Sequence, residues 1–362
     1  MITPGDDFPI HQTPEPVQQV FTSDRNFYDR FFFNGYWRDG EPYFSVAMGI
    51  YPNVGIIDAA VSAIVGGTQH CVRASRVLGA DRLDTRVGPI SIEIVRPTRT
   101  TRVRVDHAEI KADLTFEARV NPMEEPRFTR RAGPRTVMDL TRFTQHGSYS
   151  GTLTVAGHKF DASQSRVWGS RDRSWGVRNL GPPDPAGVPS TAAAQFFWLW
   201  SPTNFDDLCT HFDVNENSDG SRWHEFGAVA KAGVAAPAEL ATAVDWQVNY
   251  LPNTRHARSA EILLTAPGGQ TRIELETLYN FYMHGIGYGH PKWGHGMYVG
   301  TDVSAYESFK VGEVVQTLPL NQHIQAVCRA RSGSREGMGI LEMLIIGAHE
   351  KSGLKTLLDM HP

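Results

Sequence analysis

Phe31-Phe32-Phe33-Asn34-Gly35-Tyr36, then Trp37-Arg38-Asp39-Gly40, then Tyr43-Phe44-Ser45-Val46-Ala47-Met48-Gly49-Ile50-Tyr51: two aromatic-rich runs flank a turn that carries Asp-Gly. Bulky aromatic and β-branched residues pack well on a pleated surface, and Asp-Gly favours a tight reversal, so the stretch predicts a β-hairpin. The same grammar spreads outward. Val61-Ser62-Ala63-Ile64-Val65 and His70-Cys71-Val72-Arg73-Ala74 flank Gly66-Gly67. Ile90 to Arg96 and Leu114 to Val120 alternate with period two, as half-buried antiparallel strands do. Phe196 to Trp200, Cys209 to Val214, Glu225 to Ala230 and Trp246 to Tyr250 repeat it in the second half. A short helix from Ala236 to Val244 is expected, because Pro237-Ala238-Glu239-Leu240 suits a helix start.

A weak internal repeat accompanies this grammar. Pro97 and Pro252 stand 155 positions apart; each follows a strand and precedes a Thr/Arg turn and two further strands. The expected architecture is all-β: two tandem antiparallel barrels or meanders, residues 1–162 and 163–362. Closing a meander hides its edges, and a small barrel can hold one apolar ligand. A pair of filled β-sandwiches is the alternative.

The bulk numbers agree and exclude other classes. In 362 residues, 41% are hydrophobic, 10% aromatic and 20% charged, with 34 Gly and 22 Pro to serve turns. The net charge of −4 offers no basic excess for nucleic acid. The longest apolar run, Ala192 to Trp200, is far short of the roughly 20 residues that span a bilayer. Cys71, Cys209 and Cys328 are odd in number and widely spaced, which fits a reducing, cytoplasmic setting rather than a disulfide framework. The polar N-terminus, Met1 to Asp7, does not read as a signal peptide.

Two segments carry chemistry. Trp168-Gly169-Ser170-Arg171-Asp172-Arg173-Ser174-Trp175-Gly176-Val177-Arg178 packs aromatic, cationic and acidic groups closely. On a strand, Asp172, Ser174 and Gly176 share one face, and Arg171, Arg173, Trp175 and Val177 the other. Asp172 is then either a buried general acid or base with a shifted pKa, or part of an Arg–Trp–Asp closure of a barrel end. The second segment, Leu278 to Gly296, mixes aromatics, Gly and His284, His290 and His295. It reads as a pocket mouth, with Tyr282 and His284 as its polar groups; metal binding is the lesser reading, and no metal or organic cofactor is expected. Gly285 to Gly289 and Gly337 to Gly339 lack dinucleotide spacing and read as turns or bulges. Glu342, among apolar neighbours, is expected to face outward, or else to be a buried partner of an Arg such as Arg178.

The run Arg171-Asp172-Arg173-Ser174-Trp175-Gly176-Val177-Arg178 resembles the bacterial lipocalin-like family of carotenoid 1,2-hydratases, or hydroxyneurosporene synthases. Many members carry Arg-Asp-His-Ser-Trp-Gly-x-Arg at the start of their second half; here Arg173 replaces the His. His323 to Arg329 and Gly337 to Glu342 are also similar. The resemblance covers mainly residues 163–348. It implies two lipocalin-like domains with a pocket near their junction. It also implies cofactor-free chemistry: hydration of an isolated alkene or, in distant fungal relatives, guidance of a pericyclic cyclisation. The resulting expectation is a lyase, hydratase or isomerase acting on an apolar terpenoid, steroid-like or aromatic molecule, with a non-catalytic carrier as the alternative. Asp172, Tyr282 and His284 are the catalytic candidates. Trp175, Trp198, Trp200, His211, Tyr279 and Trp293 are assigned to substrate contact, and Arg171, Arg178 and Glu342 to structure. The oligomeric state is left open, a homodimer included.

Overall fold

The computed structural model describes residues 1–181, 194–233 and 236–362. Among these residues every long element is a β-strand, every strand pairing within a sheet is antiparallel, and the only helical pieces are short 3-10 turns. No helix among them is long and apolar enough to cross a membrane. The apolar run from Ala192 begins outside the described residues and continues as strand Phe196–Phe205.

Two sheets hold the strands. The first runs Asp302–Lys310, Thr68–Val77, Ile56–Val65, Tyr43–Tyr51, Phe27–Trp37, Val167–Arg178, Arg135–Val155, Ile110–Ala118, Thr100–Asp106, Ile90–Arg96 and Arg86–Val87. The second runs Glu239–Leu240, Arg222–Lys231, Leu208–Glu216, Phe196–Phe205, Arg335–Ile346, Ile324–Ser332, Gly269–Tyr282, Ala257–Ala266 and Ala243–Tyr250. The first is a nearly closed barrel and the second a half-barrel, a lipocalin-like architecture.

The two orders are the same path walked twice. In each, the unit's first strand lies beside its last, with opening hairpins to one side and a reversed four-strand meander to the other. Pro97 and Pro252 occupy equivalent turns of those meanders. The residues after them, Thr98 and Asn253, both take left-handed backbone, at φ 58° and 57°. Asn tolerates that region, whereas β-branched Thr pays for it. Thr98 is exposed, so Thr98→Asn should raise stability by about 0.5–1 kcal/mol in denaturant melts.

The repeat gives Val167–Arg178 the last place in the first unit, hydrogen-bonded between Phe27–Trp37 and Arg135–Val155. A division by sheet thus runs between Arg178 and Phe196 rather than at 162/163. Strand Asp302–Lys310 comes from the second half of the chain yet pairs with Thr68–Val77 in the first sheet.

No helix forms at 236–244. Leu240 and Glu239 pair with Ala228 and Val229, and Ala243–Tyr250 pairs with Ala257–Ala266, so sheet pairing overrides the local helix signal. Gly337 and Gly339 stand inside strand Arg335–Ile346, not in a turn. A Cβ on Gly337 would lie 2.3 Å from the Asn204 carbonyl, so the glycine permits close strand approach.

Both units fill their own interiors. Phe31, Phe33, Phe44, Phe116 and Tyr149 belong to the first core; Phe197, Leu199, Phe212 and Leu275 belong to the second. A third cluster, with Phe32, Tyr36, Trp168, Trp200, Phe281 and Ile340, joins the sheets. The barrel interior expected to hold a ligand is therefore packed with side chains, and the cavity with convergent polar groups lies between the sheets.

Candidate functional site

Period-two alternation builds this inter-sheet cavity. On Phe27–Trp37 the odd residues Phe31 and Phe33 enter the barrel core, while Tyr28, Arg30 and Phe32 turn to the second sheet. Asp172 pairs across the ladder with Phe32 and Thr144; Ser174 pairs with Arg30 and Arg142. That register puts Arg30, Arg142, Asp172 and Ser174 on one face. From the second sheet come Trp198, Trp200, Asn215, Glu342 and Leu344, with Trp198 opposite Leu344 and Trp200 opposite Glu342. Tyr288, His323, Phe128, Met138, Leu140, Arg178 and Phe196 complete a cavity of about 180 Å³. A wider groove of about 480 Å³ along Glu124–Arg127, Glu225–Gly227 and Leu240–Val244 is more open and does not include Asp172.

Asp172 is half-buried among the lining residues. Burial pushes its carboxyl up to about 7, against the downward pull of Arg142 and Arg30; Glu125 and Glu342 add smaller upward pushes. No described residue hydrogen-bonds to it, and the expected Arg–Asp closure of a barrel end does not form. Arg173 pairs instead with Asp29 at 2.8 Å, and Arg171 donates to Gln145 Oε1 at 2.9 Å on the barrel-core face. The predicted split of the strand's two faces is thus seen at Asp172 and Ser174 against Arg171 and Arg173.

Glu342 is buried, correcting the outward-facing expectation, and its partners are not arginines. It accepts hydrogen bonds from His323 Nε2 at 2.7 Å and Gln325 Nε2 at 2.6 Å, and the Tyr43 hydroxyl bonds to Gln325 behind it. The His323 ring meets Trp198 and Tyr288 edge-on. With Nε2 engaged by Glu342, Nδ1 is left to act as a base.

The cavity's tryptophans are pinned through their N–H groups. Trp198 Nε1 donates to Asp213 at 2.7 Å, and Trp200 Nε1 reaches Glu125 at 3.5 Å. The Arg142 guanidinium bridges those carboxylates, at 2.5 Å to each. Glu125 also accepts from Thr144 at 2.7 Å and bonds to His211 at 3.0 Å. Burial alone would raise the Glu125 pKa; Arg142 and His211 outweigh it and hold that carboxyl well below the usual range. Glu125, Asp213 and His224 bring potential metal-ligand atoms within 4.8 Å of one another, but Arg142 already supplies the positive charge there.

The other predicted residues scatter. Tyr282 and His284 are not on the cavity with Asp172, contrary to expectation. Tyr282 packs in the second unit's core, and its backbone exchanges hydrogen bonds with the Gln69 side chain, which ties the second sheet's end to the first sheet. His284 stacks on Phe309 at 4.8 Å, and burial, with Arg73 beside it, pushes its imidazole down to about 4. Trp175 is 40% exposed. His211 sits behind Trp200 in the Glu125 network. Tyr279 donates to the Gly40 carbonyl at 2.6 Å, a contact between the halves. Trp293 lines a crevice of about 10 Å³, room for roughly one water. Arg178 lies on the cavity, over the Tyr28 ring at 4.5 Å.

Sequence reasoning missed Arg30, Arg142, Tyr288 and any role for His323. Arg30 and Arg142 each interrupt an apolar or alternating strand with a buried charge, which is the one signal that could have found them.

Solved structures share this fold at low identity. An AttH-like protein of Nitrosomonas europaea is 14% identical, over 90% of this chain and 96% of that one, at a TM-score of 0.51. CghA crystallised with Sch210972 is 12% identical over 89% of each chain, at 0.53. Kievitone hydratase of Nectria haematococca is 12% identical over 87% and 88%, at 0.46, too low to carry an argument. Among curated proteins none matches the chain. The profile of one family matches nearly end to end, across residues 2–355, and on that ground the chain belongs to the family of unknown function DUF8625.

Proposed function

We propose that the cavity between the sheets is the active site of a cofactor-independent lyase, hydratase or isomerase that adds, removes or shifts a proton on a small, largely apolar molecule. The observation that carries this reading is a carboxyl pushed up to about 7, Asp172, on the same cavity as the His323–Glu342 pair. Near neutral pH a large share of Asp172 is protonated, so it serves as general acid. His323, oriented by Glu342, serves as general base. In hydration His323 takes a proton from water as the water oxygen bonds to one alkene carbon, and Asp172 gives its proton to the other. Dehydration is the reverse, and a double-bond shift uses the same two groups without water.

The faces of Phe32, Trp198, Trp200 and Phe128 supply the apolar walls. A volume of about 180 Å³ lies below the usual range of roughly 300–1,000 Å³ for drug-sized ligands. It fits a mono- or bicyclic molecule rather than a forty-carbon carotenoid. Carriage alone gives no role to an acid of raised pKa on the same cavity as a positioned imidazole.

The test is mass spectrometry of mono- and bicyclic alkenes, and of their hydrates, incubated with the protein in deuterated water. One carbon-bound solvent deuterium, with or without added water, is expected. Its rate should fall about 10²–10³-fold in His323→Gln and in Glu342→Gln. A ligand that binds the cavity without exchange, or exchange untouched by either variant, refutes the proposal.

A further inference from the structure

We infer that the ligand carries a carboxylate conjugated to its double bond, and that Arg30 and Arg178 bind this head group. The inference rests on the cavity being the ligand site but not on turnover.

Arg30 is 2% exposed and lines the cavity. Its Nη1 meets His295 Nδ1 at 2.9 Å, and its guanidinium lies over the Tyr288 ring at 4.7 Å. Its Nε and Nη2 are buried with no hydrogen-bond acceptor, and so is Nη2 of Arg178. Buried donors of a charged group are nearly always satisfied, so these point to an acceptor that the protein itself does not supply.

No described carboxylate forms an ion pair with either arginine, in contrast to Arg142 with Glu125 and Asp213. Asp172 lines the same cavity without an ion pair to either arginine, and the other nearby acids, Asp58 and Glu342, are engaged elsewhere. Asp58 accepts from Tyr51 Oη at 3.2 Å and from the Gly296 backbone N–H at 2.7 Å. Glu342 accepts from His323 and Gln325. His295 Nε2 donates to the Ile286 carbonyl at 3.0 Å, which leaves Nδ1 as the acceptor for Arg30; that ring is neutral and brings no countercharge. Two guanidiniums with donors to spare thus sit beside aromatic walls. A planar carboxylate matches such donors, whereas a hydroxyl or ether would leave most of them unused.

The charge pattern also selects the chemistry. Guanidiniums beside the reacting carbons oppose a carbocation and favour negative charge that develops on oxygen. In conjugate hydration the water oxygen bonds to the β-carbon, and the π pair moves through the α-carbon onto the carboxyl group, where Arg30 and Arg178 hold the added charge. His323 Nδ1 takes the proton lost by water. Asp172 delivers its proton to the α-carbon, and the imidazolium proton then restores Asp172. Elimination runs these bond changes backwards.

The test uses trans-cinnamate and cinnamamide, matched in shape and different in charge, titrated calorimetrically into the full chain. Cinnamate should bind about tenfold or more tightly than the amide. That preference should disappear in Arg30→Gln or Arg178→Gln, with thermal melts confirming that each variant is folded. It should persist in Asp172→Asn, which separates failure of head-group binding from failure of the catalytic reading. Equal binding of acid and amide, a preference unchanged in both arginine variants, or no cinnamate binding at about 10 mM overturns the inference.

Discussion

Asp172→Asn is expected to lower turnover about 10²–10⁴-fold while making the protein more stable at neutral pH. Asparagine keeps the shape and removes the proton that the acid gives to the substrate. The stability gain follows from the direction of the pKa shift. The carboxyl titrates near 7 when folded and near its ordinary 3.8 when unfolded, so between those values the folded chain binds more protons. Stability therefore falls as pH rises from about 4 through 7, as the buried group is forced to ionise. The variant escapes that loss and should exceed the parent by about 2–4 kcal/mol at pH 8, with little difference at pH 4. Denaturant melts at the two pH values measure it. A loss of activity with no such pH-dependent gain would mean that Asp172 is ionised throughout. In the parent, activity should fall as pH rises through about 7, because the acid form is consumed.

Arg142→Met is expected to cause the largest loss of stability, about 3–5 kcal/mol, because it leaves Glu125 and Asp213 buried without their shared cation. The sign of its pH dependence is opposite to that of Asp172. Glu125 titrates lower when folded than when unfolded, so its contribution is complete above its ordinary 4.5 and is lost as pH falls toward the depressed value. The variant should lose this acid-labile contribution and melt with a weaker dependence on pH in the acidic range. Replacing all three residues together, Arg142→Met with Glu125→Gln and Asp213→Asn, should restore much of the stability, since no buried charge is left uncompensated. A single variant as stable as the parent would show that the carboxylates do not depend on Arg142. Trp198 and Trp200 hang on the same carboxylates, so the single variant should also loosen the cavity wall, which tryptophan fluorescence would register.

The strand pattern was legible because alternation is a direct trace of half-burial. It is plainest at Ile90 to Arg96 and Leu114 to Val120. The repeat was legible at one turn, Pro97 against Pro252, where a backbone requirement survives after side chains have diverged. The position of Val167–Arg178 was not, since which unit a strand completes depends on pairings some 140 residues apart in sequence, Phe27 with Val177 among them. Asp172 and the two tryptophans stood out as unusual residues in short runs. Arg30, Arg142 and His323 did not, because strands covered on both faces lose their period. In Phe31-Phe32-Phe33 both faces are apolar, and nothing local tells the barrel core from the inter-sheet cavity. Tyr282 and His284 looked like a pocket mouth for the opposite reason: their aromatic, glycine-rich surroundings serve an anchor between the two sheets.

The most direct test of the central claim is a carbon-13 NMR titration of the Asp172 carboxyl in the ligand-free protein, assigned by comparison with Asp172→Asn. A midpoint near 7 that moves upward in Arg30→Gln is the predicted result, since Arg30 pulls it down. A midpoint near 4 would contradict the account, because Asp172 would then be ionised at neutral pH and hold no proton to give.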